Sequence, residues 1–414
     1  MRRARRLLIL LPAAVLLFGQ NPPPAVSAPN APSQREKPYV LLVSFDSFRY
    51  DYPVKYGAPH LVAFGKQGVA AKALIPSFPS STFPNHYTIV TGLTPAHHGI
   101  VANTFYDPAL DASFNLQDAK TNGIFFGGTP LWVLAEQQGM RTASFFWPGT
   151  EAPIQGIQPT FWKAFDAKIP NETRLAQVID WFKLPKAERP HFVTLYFDEL
   201  DTIAHKYGPE ADETRAAVGR MDDLIGKIVA GVRSTGVAVD IFIVSDHGMA
   251  TIQDYVNVYK MADFTGIKTA ASTTMVSFYS QDRAQLQKTY AALKDKDARL
   301  DVYWRDETPE HLQFRGNLRI GDFVMLANTP VNTYFLAGER TTPFSKGAHG
   351  YDPARYPEMQ GIFYAQGPDL RAGMVIEPFQ NTNIYPMIAK LLGLKPPANI
   401  DGSLKILAPI LRRK

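Results

Sequence analysis

Three near-continuous apolar runs, Tyr39–Phe45, Phe192–Phe197 and 239–245, constrain this chain more than any other feature. A strand wetted on one side alternates apolar and polar residues, so unbroken runs belong to strands buried on both faces of a parallel sheet. Helical spacing lies between them. After Pro209, residues Ala217, Met221, Leu224, Ile225, Ile228 and Val232 recur at steps of three and four, one face of a helix laid on a sheet. An amphipathic stretch over 61–67, a strand over 70–75, a helix over 129–139 stopped by Gly139, a strand over 142–147 and a helix from Asn171 continue the alternation. The rhythm predicts an α/β fold with a mainly parallel central sheet and helices on both faces.

The rhythm breaks over 251–345, where strands are expected at 274–279, 301–304 and 323–326 and a helix at 283–294. This segment reads as an inserted small α+β subdomain. The chain then returns through a strand at 361–365 and a helix at 384–392. The expected organisation is a leader over 1–28, a Pro-rich linker over 29–37 and one domain over 38–414 that carries the insertion at about 251–345.

The leader follows from Arg2, Arg3, Arg5 and Arg6, an apolar run over 7–18 and the small residues Val26-Ser27-Ala28, the pattern of a secretory signal peptide. An uncleaved anchor is the other reading, but the run is shorter than the ~20 residues of a spanning helix. A periplasmic or secreted protein without stable membrane insertion is expected. The leader arginines supply four of the five net positive charges, so basicity does not point to specific nucleic-acid binding. Cysteine is absent; any metal must sit on carboxylates and imidazoles, and thiolate catalysis is excluded.

In α/β sheets ligands bind beyond the carboxyl ends of strands, and chemistry-bearing residues collect there. Asp46 ends the first run, Asp246-His247 ends the third, and Asp201 lies just past the second. Thr82 sits at an expected strand-to-helix corner with Pro84 behind it, where free amides attract phosphate. It reads either as a hydroxyl nucleophile or as a helix cap. Asp201 and His205, four apart, share a metal if they lie on one helical turn, or form a solvated surface turn. Gly248 is expected to permit the turn that lets Asp246 and His247 converge. With His349 the set is three aspartates, three histidines and a threonine, enough for two zinc-like ions. His60, His86, His97, His98, His191 and His311 are not assigned as ligands, and His86 and His98 are expected to support the site through hydrogen bonds. Trp132, Trp147 and Trp162 read as core or pocket wall. Dinucleotide, Walker and G-x-S-x-G fingerprints are missing, which leaves nicotinamide, kinase-like and serine-hydrolase readings without support.

The stretches 78–87 (FPSSTFPNHY), 98–103 (HGIVAN), Asp246-His247-Gly248-Met249 and His349-Gly350-Tyr351-Asp352 resemble the nucleotide pyrophosphatase/phosphodiesterase family of the alkaline phosphatase superfamily, in particular its bacterial members. The resemblance covers roughly 39–394. It implies an alkaline phosphatase-like fold and two Zn²⁺, one on Asp201, His205 and His349, the other on Asp46, Asp246 and His247. It further implies Thr82 as a nucleophile against the second ion, Asn103 as a hydrogen-bond donor to a phosphoryl oxygen, and Phe83 with Phe165 stacking on a nucleoside. The implied reaction is hydrolysis of nucleotide phosphodiester or pyrophosphate bonds through a phosphothreonine, on a small-molecule substrate. The alternatives are a phosphomonoesterase or phospholipid head-group phosphodiesterase on the same metals, or a non-catalytic binding protein. Ser47, Ser81, Leu200 and Ala204 depart from the family pattern, which usually has glycine, lysine, proline and glycine there.

Overall fold

The computed structural model describes residues 28–116, 122–338 and 345–412. The expected leader lies outside these residues, apart from Ala28. Eight strands form the central sheet: β1 (Tyr39–Phe45), β2 (Val69–Ala71), β3 (Thr142–Phe145), β4 (Phe161–Lys163), β5 (Phe192–Phe197), β6 (Val239–Val244), β7 (Phe363–Gln366) and β8 (Met374–Ile376). Their spatial order is β8-β2-β7-β6-β1-β5-β3-β4, and every pairing is parallel except the two made by β7.

All residues of β1, β5 and β6 are buried, as their apolar runs require. Alternate side chains of β1 feed opposite cores. Val40 and Leu42 share one with helices Leu131–Gln137 and Ile384–Leu392. Leu41, Val43 and Phe45 share the other with helices Asn171–Lys183 and Asp212–Ser234. Each fully buried Leu or Val contributes roughly 1.5–3 kcal/mol relative to exposure, well above the tenths of a kcal/mol at stake in helix propensity, so packing on both faces fixes the sheet.

Between the antiparallel pair Ala250–Thr251 and Gly347–Ala348, the chain makes a separate four-stranded antiparallel sheet. Its spatial order is Lys268–Ala271, Met275–Tyr279, Phe323–Ala327, Leu300–Trp304, with helix Arg283–Leu293 packed on it through Leu286 and Leu293.

Two expectations need correction. The strand expected over 70–75 is two pieces, because the chain steps off the sheet at exposed Lys72 and Leu74–Ile75 pairs instead with Phe379–Gln380. Trp162 is neither core nor pocket wall. It sits on edge strand β4, which pairs only with β3, and is 38% exposed. Two further helices, α1 (Thr82–Thr91) and α2 (Glu199–Tyr207), carry candidate site residues.

Candidate active site

Strands β6, β1 and β5 are adjacent and parallel, with Ser44 in register with Val244 and Phe45 with Phe197. The residues just past their ends therefore leave the sheet side by side. Asp46 comes after β1, Asp246 and His247 come after β6, and β5 leads into α2, where Asp201 Oδ1 and His205 Nε2 lie 3.5 Å apart across one turn. The pairing of Ala250–Thr251 with Gly347–Ala348 clips His349 beside them. Gly248 serves this arrangement for a different reason from the one expected. Its φ is not in the left-handed region; a Cβ there would lie 2.1 Å from the Glu358 carbonyl oxygen, so it is the close approach of another backbone that demands glycine.

Thr82 is the first residue of α1, behind an extended Ser81 that makes no side-chain cap. The capping reading of Thr82 therefore fails. Asn85 holds the preceding loop: its buried amide donates to the Pro79 and Ser81 carbonyls and accepts from the Ser77 N–H and from Asn381 Nδ2. His86, one turn on, places Nδ1 2.9 Å from the Thr82 carbonyl and Nε2 2.8 Å from Ser44 Oγ. These contacts fix the Thr82 backbone and leave its hydroxyl 3.2 Å from His247 Nε2. His98 is likewise structural, with Thr88 Oγ1 at 3.0 Å and the Ile100 N–H donating to Nδ1. Burial, first of all, pushes His98 down to about 3, so it stays neutral.

The candidate metal ligands gather into two overlapping groups, Asp46/Asp246/His247 and Asp201/His247/His349, each with its ligand atoms within 4.8 Å of one another. This differs from the partition the resemblance implies. His247, stacked on His349 at 3.7 Å, falls in both groups, and His205 stands beside Asp201, its Nε2 3.5 Å from Oδ1, with 27% of its side chain exposed. Two observations fit a cation. Asp46 Oδ1 and Asp201 Oδ1 are buried without a hydrogen-bond donor, a costly condition unless something positive faces them, whereas Asp246 Oδ2 has the ring nitrogens of His247 and His86 at 3.0 and 3.3 Å. In all three histidines Nδ1 lies against a backbone carbonyl, Gly347 for His205, Gly248 for His247 and Ser80 for His349. This arrangement fixes the ring and turns Nε2 inward, as in metal-bound imidazoles.

Charge in the cluster is unbalanced. Burial, reinforced by Asp246 and Asp201, holds Asp46 well above the carboxylate range, and burial likewise raises Asp201 against the pull of His205 and His247. Burial also opposes ionisation of Asp246, but His247 and His86 beside it prevail and hold it well below that range. His247 is raised because Asp246 overcomes the burial that works against its charge. Burial, then His247 and His205, hold His349 low.

Next to the cluster opens a cavity of about 380 Å³ whose wall includes Thr82, Phe83, Phe146, Trp147, Phe165 and Tyr196. Phe83 and Phe165 are thus both on the wall, as is Trp147. Asn103 is placed by its Oδ1, which accepts from the Phe83 N–H at 3.0 Å; its amide NH₂ remains for another partner. Sequence reading missed Tyr196, Glu151 and Asp198, which also line the cavity. Tyr196 was visible as one of two hydroxyls, with Thr194, in a mostly apolar strand, each of which calls for a buried partner; its O–H donates to Asp46 Oδ2 at 2.5 Å.

A family model described as type I phosphodiesterase / nucleotide pyrophosphatase matches residues 40–352. The chain belongs to this family. Ectonucleotide pyrophosphatase/phosphodiesterase family member 1 of Rattus norvegicus is 33% identical over 393 residues, which are 91% of this chain and 43% of that protein. A venom phosphodiesterase of Macrovipera lebetinus is 34% identical over 390 residues, 90% of this chain and 45% of its own. The chain thus spans less than half the length of these curated relatives. Murine ectonucleotide pyrophosphatase/phosphodiesterase 5, solved with AMP as an inactive threonine-to-alanine variant, superposes with a TM-score of 0.85 at 30% identity over 91% of this chain and all of that one. The human protein gives 0.84 at 29% identity. Among the described residues no helix is long and apolar enough to cross a membrane.

Ser47 explains one departure from the family pattern. Its φ is +63°, the left-handed region that favours glycine, and it is held there by its N–H to Asp246 Oδ1 and its Oγ to the Gly248 carbonyl, both at 3.3 Å. Ser47→Gly is expected to leave stability within about 1 kcal/mol, since relief of strain offsets the added backbone freedom. Ser47→Val, branched at a positive φ, is expected to cost about 2 kcal/mol or more. Denaturant midpoints of the two variants check both; equal midpoints would remove strain from the account.

Proposed function

We propose that this protein hydrolyses nucleotide phosphodiester or pyrophosphate bonds and releases a nucleoside monophosphate, with Thr82 as nucleophile and two zinc ions held by Asp46, Asp201, His205, Asp246, His247 and His349. The observation that carries the reading is the Thr82 hydroxyl, uncapped and 3.2 Å from His247, between the carboxylate–imidazole cluster and an aromatic cavity. Zinc, when bound, supplies Lewis acidity that favours an ionised hydroxyl and neutralises phosphate charge. The AMP bound by the murine neighbour supports a nucleotide, and the leader pattern supports export to the periplasm or outside the cell.

In this reading Thr82 Oγ1 forms a bond to phosphorus as the bond to the leaving oxygen breaks, and water then cleaves the phosphothreonine. At the start of α1 the Phe83 N–H is taken by Asn103, Pro84 has none and the Asn85 N–H is bonded to the Ser81 carbonyl, which leaves the Thr82 N–H for a phosphoryl oxygen. Asn103, whose Oδ1 is occupied by the Phe83 N–H, presents only its NH₂ and therefore donates. Phe83 and Phe165 receive the base on the cavity wall. The carboxylate of Glu151 on the same wall, beside an Asp198 already paired with Arg174 at 2.9 Å, favours a second reading, a choline-type head group whose cation would lie among aromatic faces.

Turnover of three nitrophenyl substrates by the zinc-loaded protein separates these readings: the ester of thymidine monophosphate, plain phosphate, and phosphocholine. The thymidine diester is expected to be fastest in kcat/KM. Phe83→Ala is expected to lower that value by about 5- to 100-fold, the worth of one stacked base, with little change for plain nitrophenyl phosphate. Preference for the monoester or for phosphocholine would overturn the nucleotide assignment.

A further inference from the structure

Tyr196 is the penultimate residue of β5, yet it does more than fill a strand position. Its ring lines the cavity, and its hydroxyl donates at 2.5 Å to Asp46 Oδ2. The two oxygens of Asp46 are thereby made unequal: Oδ2 is occupied, while Oδ1 is buried without a donor and lies 3.6 Å from His247 Nε2. The register explains why this contact is built in. Ser44 pairs with Tyr196 and Phe45 with Phe197, so Asp46, one residue past the end of β1, is held alongside the strand that carries the phenol. The ring itself is wedged between His86, edge-on at 5.1 Å, and Phe165, tilted at 6.1 Å.

We propose that Tyr196 is a positioning residue that orients Asp46 for metal binding, holding Oδ2 so that Oδ1 alone is offered, and that it ties the substrate wall to the metal cluster through one hydrogen bond. The inference rests on the reading of this cluster as a metal centre. A phenylalanine keeps the ring, the wall and the packing but releases Asp46 to rotate. Outer-shell partners of this kind are worth about 10- to 100-fold in metal affinity.

The test is zinc affinity of the full chain, measured by competition with a chromophoric chelator, for the wild type, Tyr196→Phe, Asp46→Asn and the double variant. Tyr196→Phe is expected to weaken one of the two zinc sites by about 10- to 100-fold, with circular dichroism of the zinc-free protein unchanged and its thermal midpoint lowered as the loss of one buried hydrogen bond requires. Its effect is expected to vanish in the Asp46→Asn background, since a partner already lost cannot be misoriented. Turnover of Tyr196→Phe at low zinc is expected to recover as zinc is raised. Unchanged zinc affinity, or equal effects of Tyr196→Phe with and without Asp46, would overturn the proposal and leave Tyr196 as wall alone. If Tyr196→Phe fails to fold, 3-fluorotyrosine at 196, which keeps the hydroxyl and its hydrogen bond, serves as a reporter in its place: the fluorine resonance is expected to shift when zinc binds, and an unchanged resonance overturns the proposal. A wild-type chain that binds no zinc would instead refute the metal-centre reading on which it stands.

Discussion

Thr82→Ala is expected to lower kcat for a nucleotide diester by at least about 10³-fold, the scale seen when a nucleophile is removed from an enzyme that forms a covalent intermediate. The effect should be confined to chemistry. Thr82 is half-buried and opens α1 without capping it, and among the described residues its hydroxyl makes one polar contact, the 3.2 Å approach to His247 Nε2. Alanine also suits a helix better than threonine by a few tenths of a kcal/mol, so the thermal midpoint should stay close to wild type. The loop that delivers residue 82 is held by Asn85 and His86 rather than by Thr82 itself. Zinc content and AMP affinity should therefore survive. Thr82→Ser, which keeps a hydroxyl, should retain part of the activity. Steady-state kinetics with denaturation curves on the same preparations decide the matter. An alanine variant that keeps a tenth of wild-type kcat would exclude Thr82 as nucleophile.

Much of this site could be read from the sequence because a parallel sheet converts distant strand ends into neighbours. Asp46, Asp201 and Asp246 are far apart along the chain, yet each lies just past a near-continuous apolar run, and adjacent parallel strands deliver such residues to one edge of the sheet. His349 could be counted as a candidate ligand by its residue type, but no apolar run placed it beside the others. Its position depends on the short antiparallel clip between Ala250–Thr251 and Gly347–Ala348, and two-residue strands carry no periodic signal. The partner choices were hidden for a similar reason. The sharing of His247 between two ligand groups, the contact of Tyr196 with Asp46, and the backbone that crowds Gly248 are all set by packing between elements far apart in sequence. The pocket wall shows the same limit. Phe146, Trp147 and Tyr196 are aromatic by type, and only the fold decides which of them border a cavity instead of a core.

Removing metal should abolish turnover and also expose the electrostatic cost of the empty cluster. Chelation is expected to lower activity below about 1% of the starting value, with recovery on return of zinc, since an unassisted threonine hydroxyl is a weak nucleophile at neutral pH. Stability should fall too: zinc at 100 times its Kd stabilises the folded state by about 2.7 kcal/mol. The pH dependence gives this prediction its sign. Asp46 and Asp201 are raised in the folded, metal-free chain, so above the ordinary aspartate value of about 3.9 the folded state holds protons that the unfolded chain has released. Stability is then lost as pH rises. His247, also raised, contributes stability that is full below about 6.5 and lost above it. His349, held low, adds stability as pH rises toward about 6.5 and no further change above it. Asp246, depressed, contributes a constant amount at any pH above the ordinary aspartate value. His349, already uncharged above its lowered value, drops out of the difference between stripped and loaded forms; Asp46, Asp201 and His247 decide it, because a cation displaces the protons they hold. The gap between zinc-loaded and stripped thermal midpoints should therefore widen from about pH 5.5 to pH 8. Calorimetry on both forms across that range measures it, and a gap that narrows with rising pH would mean that these carboxylates do not face a bound cation.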